Sequence, residues 1–290
     1  MGWAFRWLDD GRAGGRSSAP GGPLTRPTGQ DYIFQKEVGR SVLRLLFALM
    51  SLLPHGLRRH VVRGLMHGVW GRLSHAKVYG LKDLPDGPCL FICNHLSNAD
   101  GFTLYRALRP RRVVFLAGVK LHGTVMTRLA AETMDTIDIT PNSPDIEALR
   151  RCVELLKGGQ SVLIFPEGGR SRSGGLLQAK KGVGLIAKRA CVPIVPVALT
   201  GTEKLMPIND SDMGGERLFH ADVTVTFGPA FRMEDLEPEV SGASDARQAL
   251  VDAMMRRVAA LLPPAYQGVY AGGPEPVAPT APPSAVPPSA

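Results

Sequence analysis

The chain has 290 residues, 44% of them hydrophobic, with a formal net charge of +8 and a pI near 9.6. That apolar content supports a packed core and excludes a wholly disordered chain, while the charge points to an anionic partner: a membrane leaflet, a nucleic acid or phosphorylated small molecules. Cys89, Cys93, Cys152 and Cys191 have neither zinc-ribbon spacing nor the density of a disulfide-stapled domain, and read as buried thiols in a reducing compartment. No apolar run reaches the roughly 20 residues needed to span a bilayer. The first residues, Met1 to Arg16, also lack an uninterrupted signal-peptide core, so neither export nor a membrane span is expected.

Residues 1–34 are rich in Gly, Arg, Ser and Pro and are expected to be disordered. Over 36–53, Val38, Val42, Leu45, Leu46, Leu49, Leu52 and Leu53 recur at spacings of three and four, with Lys36, Arg40 and Arg44 as a basic stripe. This predicts an amphipathic helix. After Pro54-His55-Gly56, a second helix is expected over 57–73, setting Arg58, Arg59 and Arg63 against Val61, Val62, Leu65, Met66, Val69 and Trp70. Between Lys36 and Lys77 there are eight Lys or Arg residues and one acid, Glu37, so nearly all of the charge excess lies there. A helix pair over 35–73 of this composition suits a membrane interface, with apolar residues at the acyl boundary and Arg near anionic headgroups. An ordinary amphipathic pair packed on the domain would have the same pattern.

From 74 onward, short β-type runs alternate with helical ones. Strands are expected at Ala76–Tyr79, Cys89–Cys93, Val113–Leu116, Thr136–Ile139, Val162–Phe165, Ile194–Leu199 and Val223–Phe227, and helices at 98–108, 122–132, 144–157, 179–190 and 244–261. The alternation predicts one α/β domain over 74–262 around a mixed, largely parallel sheet flanked by helices. Residues 263–290, rich in Pro and Ala, are expected to form a disordered tail.

Two segments carry chemistry. Asn94-His95-Leu96-Ser97-Asn98-Ala99-Asp100 follows the apolar run Leu90–Cys93 directly, which puts it at the carboxyl end of a strand, where α/β sheets place their ligands. His95 is suited to take a proton near neutral pH, and Asp100 can fix its tautomer if the chain turns into a helix between them. A surface His with a helix-capping Asp would give the same spacing. The second segment, Phe165-Pro166-Glu167-Gly168-Gly169-Arg170-Ser171-Arg172-Ser173-Gly174, follows another apolar run and combines Gly backbone, hydroxyls and two guanidinium groups, a set that suits a phosphate. It lacks P-loop spacing, and a charged Gly-rich turn has the same composition. Val192-Pro193-Ile194-Val195-Pro196-Val197 reads as a buried strand with proline at its start.

In this order, the three segments resemble the glycerolipid acyltransferase family that includes 1-acylglycerol-3-phosphate acyltransferases. Asn94, His95 and Asp100 match its N-H-x4-D block, Phe165 to Ser171 its F-P-E-G-x-R-S block, and Val192 to Val197 its V-P-I-x-P-V block, within a likeness that spans roughly 75–230. The resemblance implies transfer of a fatty acyl group from acyl-CoA or acyl-carrier protein to the free hydroxyl of a lysophospholipid, foremost 1-acylglycerol-3-phosphate, giving phosphatidic acid. It implies His95 as general base, Asp100 as its orienting partner, and Glu167, Gly168, Gly169, Arg170 and Ser171 as the acceptor-binding loop. Lys120 falls where the family often has a basic residue and is a candidate for oxyanion stabilisation. Neither a metal nor a cofactor beyond the acyl donor is implied. A membrane surface is the expected partner of residues 36–73, with no nucleic acid, at the cytoplasmic face in a peripheral or monotopic arrangement.

The sequence departs from the family pattern twice. Ile139 stands where the family's second block usually ends in Arg, and Gly169 stands where it commonly carries Thr. Both departures bear on the acceptor headgroup and leave open another lysolipid or a glycolipid. A non-catalytic basic protein that binds membrane or nucleic acid is the alternative of a different class. The few aromatics on the basic helices disfavour base stacking.

Overall fold

The computed structural model describes residues 54–118, 133–139, 145–209 and 216–272. The helices expected at 36–53 and 122–132, and Lys120, lie outside the described residues. Helix α1 (His55–Leu73) leads directly into β1 (Ser74–Tyr79). Three apolar side chains spaced four apart, Val62, Met66 and Trp70, are buried, whereas Leu57, Val61 and Leu65 at the same spacing are 53%, 43% and 54% exposed. The helix therefore has a second apolar stripe facing outward. Trp70 anchors its inner face, donating from Nε1 to Thr103 Oγ1 at 3.0 Å and meeting the Phe102 ring edge-on at 4.8 Å.

Beyond β1 the order is β2 (Leu90–Cys93), α2 (Asp100–Ala107), β3 (Val113–Gly118), β4 (Asp135–Ile139), α3 (Ile146–Lys157), β5 (Ser161–Ile164), α4 (Gly182–Ala190), β6 (Ile194–Thr200), the single turn α5 (Thr202–Leu205), β7 (Ala221–Phe227) and α6 (Ala246–Ala259). Asp145 and Asp245 cap α3 and α6, accepting from the backbone of Ala148 at 3.0 Å and Gln248 at 3.1 Å. The seven strands form one sheet in the order β1-β7-β6-β2-β5-β3-β4, parallel at every step except β6 to β7. This is the mixed, largely parallel α/β architecture that the sequence predicts.

Every residue of β2 and β5 is buried, as expected for central parallel strands covered on both faces. Leu90, Ile92, Val162, Ile164 and Ile194 pack with Cys152 and Leu156 of α3, Ile186 of α4, and Val251 and Met254 of α6 in one apolar cluster. The chain leaves β2 for β3 and later returns to insert β5 between them. The loops after β2 and β5 therefore lie side by side at the carboxyl edge of the sheet, as ligand-binding loops do at a topological switch point.

Two expectations are corrected. The tail does not begin at 263: 3-10 turns at Pro264–Tyr266 and Gly268–Tyr270 pack back on the domain. Tyr270 is buried, with its hydroxyl accepting from Ala179 N at 3.1 Å and donating to Asp252 Oδ1 at 3.0 Å. Gly268, at φ +52°, lets the chain lie so close to Leu176 that a Cβ would collide with that residue's backbone. Secondly, three of the four thiols are buried, but Cys191, which follows the last turn of α4 in the left-handed conformation, is exposed.

Candidate active site

The loop after β2 is held on either side of His95. Asn94 fixes its start: its side chain donates to Leu199 O and accepts from Leu199 N, both at 2.8 Å, so it continues the β2–β6 pairing one step past the strand. Ser97 Oγ donates to Met206 O at 2.6 Å and accepts from Ala99 N at 3.1 Å. The turn between them then opens α2 at Asp100.

Asp100 is fully buried. Its Oδ2 accepts from Leu96 N at 2.6 Å, Ser97 N at 2.9 Å and His95 Nδ1 at 2.8 Å. The same carboxylate thus orients the imidazole and closes the turn that leads into α2; it does not cap the helix, whose N-cap is Ala99 with no side-chain cap bond, so of the two roles that the spacing left open the orienting one is realised. With Nδ1–H donated to a carboxylate, the lone pair is on Nε2. The His95 side chain keeps 20% of its surface and stacks on Phe165 at 4.1 Å between ring centroids, which fixes the plane of the ring. Among the described residues, then, the structure brings together His95, Asp100 and the loop after β5.

Within that loop the expected substrate-binding residues divide into two groups. Glu167 is turned inward at 4% exposure, with Oε1 accepting from His95 N at 2.8 Å and Oε2 from Leu177 N at 2.8 Å. Ser171 is also buried; its N–H donates to His95 O at 2.8 Å and its hydroxyl to Gly175 O at 2.5 Å. Both residues tie the loop to the backbone of His95. Burial pushes the Glu167 carboxyl up to about 7, with the Asp100 charge adding to that effect and the two N–H donors opposing it. Gly168 takes φ +71°, and the Lys180 stem lies against the place where a Cβ would stand. At Gly169 a Cβ would meet nothing within 4 Å, so a larger residue has room there.

Arg170, a cation of the loop that was expected to hold an anion, donates from Nη1 to Glu216 Oε1 at 2.6 Å. The second Glu216 oxygen accepts from Asn98 Nδ2 at 2.7 Å. Glu216 is a residue that sequence reasoning missed: it belongs to no motif and lies 46 residues from Arg170. Phe165 belongs to the loop motif, and no local signal marks its ring as the one that stacks on His95. Strand β4 ends at Ile139, but the placement of that side chain lies outside the described residues.

An imidazole oriented by a buried carboxylate, at the carboxyl edge of an α/β sheet and beside a Gly-rich loop, defines a domain suited to proton transfer. Residues 75–200 match the Acyltransferase family. It is 37% identical over 167 residues to the chloroplastic 1-acyl-sn-glycerol-3-phosphate acyltransferase BAT2 of Brassica napus, covering 54% of this chain and 46% of that protein. It is 29% identical over 240 residues to a 1-acyl-sn-glycerol-3-phosphate acyltransferase of Chlamydomonas reinhardtii, covering 78% and 67% of the two chains. The chain thus spans about half the length of the Brassica napus relative. The crystal structure of the 1-acyl-sn-glycerophosphate acyltransferase PlsC from Thermotoga maritima shares the fold, with a TM-score of 0.52 at 22% identity over 75% of this chain and 87% of that one.

Proposed function

We propose that the chain is an O-acyltransferase that moves a fatty acyl group from acyl-CoA or acyl-carrier protein to the free hydroxyl of a lysophospholipid, with 1-acylglycerol-3-phosphate the leading acceptor and phosphatidic acid the product. The observation that carries this reading is the 2.8 Å contact between His95 Nδ1 and the buried Asp100 carboxylate, which presents Nε2 as a base. Nε2 takes the hydroxyl proton as the oxygen attacks the thioester carbonyl; the tetrahedral oxyanion collapses, the C–S bond breaks, and the thiolate leaves with the proton returned by the imidazolium. Asp100 stabilises the imidazolium between those two steps.

The proposed place of work is a membrane surface at its cytoplasmic face. Support comes from α1, where the exposed Leu57, Val61 and Leu65 lie among Arg58, Arg59 and Arg63. Among the described residues, no helix is long and apolar enough to cross a membrane.

The test is to incubate the purified chain with labelled acyl-CoA or acyl-carrier protein and a panel of lysolipids, then identify the ester formed. Phosphatidic acid from 1-acylglycerol-3-phosphate is expected. The His95→Ala variant should keep its fold by circular dichroism and lose about 10³-fold or more of the rate; near-normal turnover there would remove the proposal.

A further inference from the structure

We infer that Glu216 is an internal occupant of the acceptor's anion subsite, so that a headgroup binds by exchange with this carboxylate. This rests on the acyltransferase reading above. The Glu216 side chain is 3% exposed and Arg170 is 15% exposed, and the ion pair between them closes at 2.6 Å. The other Glu216 oxygen takes Asn98 Nδ2 at 2.7 Å. Its two donors come from the two loops that form the site: Asn98 stands two residues before Asp100, and Arg170 immediately precedes Ser171, whose N–H donates to His95 O.

A carboxylate with one oxygen on a guanidinium and the other on an amide N–H has the same contacts that a bound phosphate would make. A headgroup that takes Arg170 must therefore displace Glu216. Because a shielded charge left without a partner is costly, the exchange favours replacing one anion by another, and a neutral headgroup offers Arg170 nothing in return. Only the fraction of molecules with Glu216 withdrawn is competent to bind, so the apparent affinity of every anion is weakened by one common factor.

The experiment is calorimetric titration of the full chain and its Glu216→Gln variant with inorganic phosphate and, separately, with glycerol 3-phosphate. Gln keeps the side-chain shape and removes the competing charge. Both ligands should bind about tenfold tighter or more to the variant, as expected from the loss of a charge-assisted competitor, and by the same factor. In turnover, the gain should fall in KM for 1-acylglycerol-3-phosphate rather than in kcat. Glu216→Asp, whose shorter side chain cannot keep both contacts, should move affinity in the same direction and stands in if the Gln variant melts early. Unchanged or weaker binding would overturn the inference and make Glu216 an anchor for Arg170, and unequal factors for the two anions would overturn the competition. Failure of the wild type to acylate any lysolipid would instead sink the enzyme reading, because the calorimetry involves no turnover.

Discussion

At Asp100, three donors converge on Oδ2, while no protein group among the described residues donates to the buried Oδ1. The 2.8 Å contact with His95 Nδ1 places this negative charge where it stabilises a proton arriving on the imidazole. Asp100→Asn keeps the size of the group and removes the charge. It should lower kcat/KM by about 10³ to 10⁴-fold, the order seen when a triad carboxylate is neutralised, and steady-state kinetics on folded protein checks it. Glu167 acts on the same imidazole through backbone. In Glu167→Gln only one carbonyl oxygen remains for two N–H donors, so the variant should lose about 1–3 kcal/mol of stability. Its effect on pH dependence also has a definite sign. A carboxyl raised from 4.5 to about 7 holds its proton more tightly folded than unfolded, so its contribution is fully present below pH 4.5 and is lost as pH rises to 7. The difference in melting temperature between wild type and Glu167→Gln should therefore change through that window; parallel pH curves would show that Glu167 does not titrate there.

At the scale of elements, α1 has two apolar stripes and can bury only one against the domain. If the outer stripe docks on lipid, replacing Leu57, Val61 and Leu65 together by Glu should lower binding to anionic vesicles by about 100-fold or more, since each buried side chain contributes about 1.5–3 kcal/mol. Flotation with phosphatidylglycerol vesicles measures this, and equal flotation would count against docking through α1. The inner face carries a pH limit of its own. His67 packs on Phe102 and Tyr105, and burial, followed by Arg106, Arg109 and Arg63, lowers its pKa to about 4. A base held neutral in the fold contributes stability above pH 6.5 that is lost as pH falls to 4. His67→Phe should flatten that part of the melting curve.

On the scale of the whole molecule, the segment after α6 supports the site. Leu176 N donates to Tyr266 O at 2.9 Å and Val269 N to Leu176 O at 3.1 Å, which positions the neighbouring Leu177 N on Glu167 and so on the backbone of His95. Tyr270→Ala should cost about 3 kcal/mol as a buried aromatic truncation and lower kcat as well, as read by thermal melts beside kinetics. The sequence by itself determined much of this protein: the apolar runs that became β2, β5 and β6, the amphipathic helix expected at 57–73, and His95 with Asp100, because strand period, helix period and a five-residue turn are local properties. It did not determine which way Glu167 faces, that Phe165 stacks on His95, that Glu216 meets Arg170, or that Tyr266 and Tyr270 fold back on the domain. Glu167 pairs with a residue 72 positions away and Glu216 with one 118 positions away. Contacts at such separations depend on strand order, here the insertion of β5 beside β2, which no local pattern encodes.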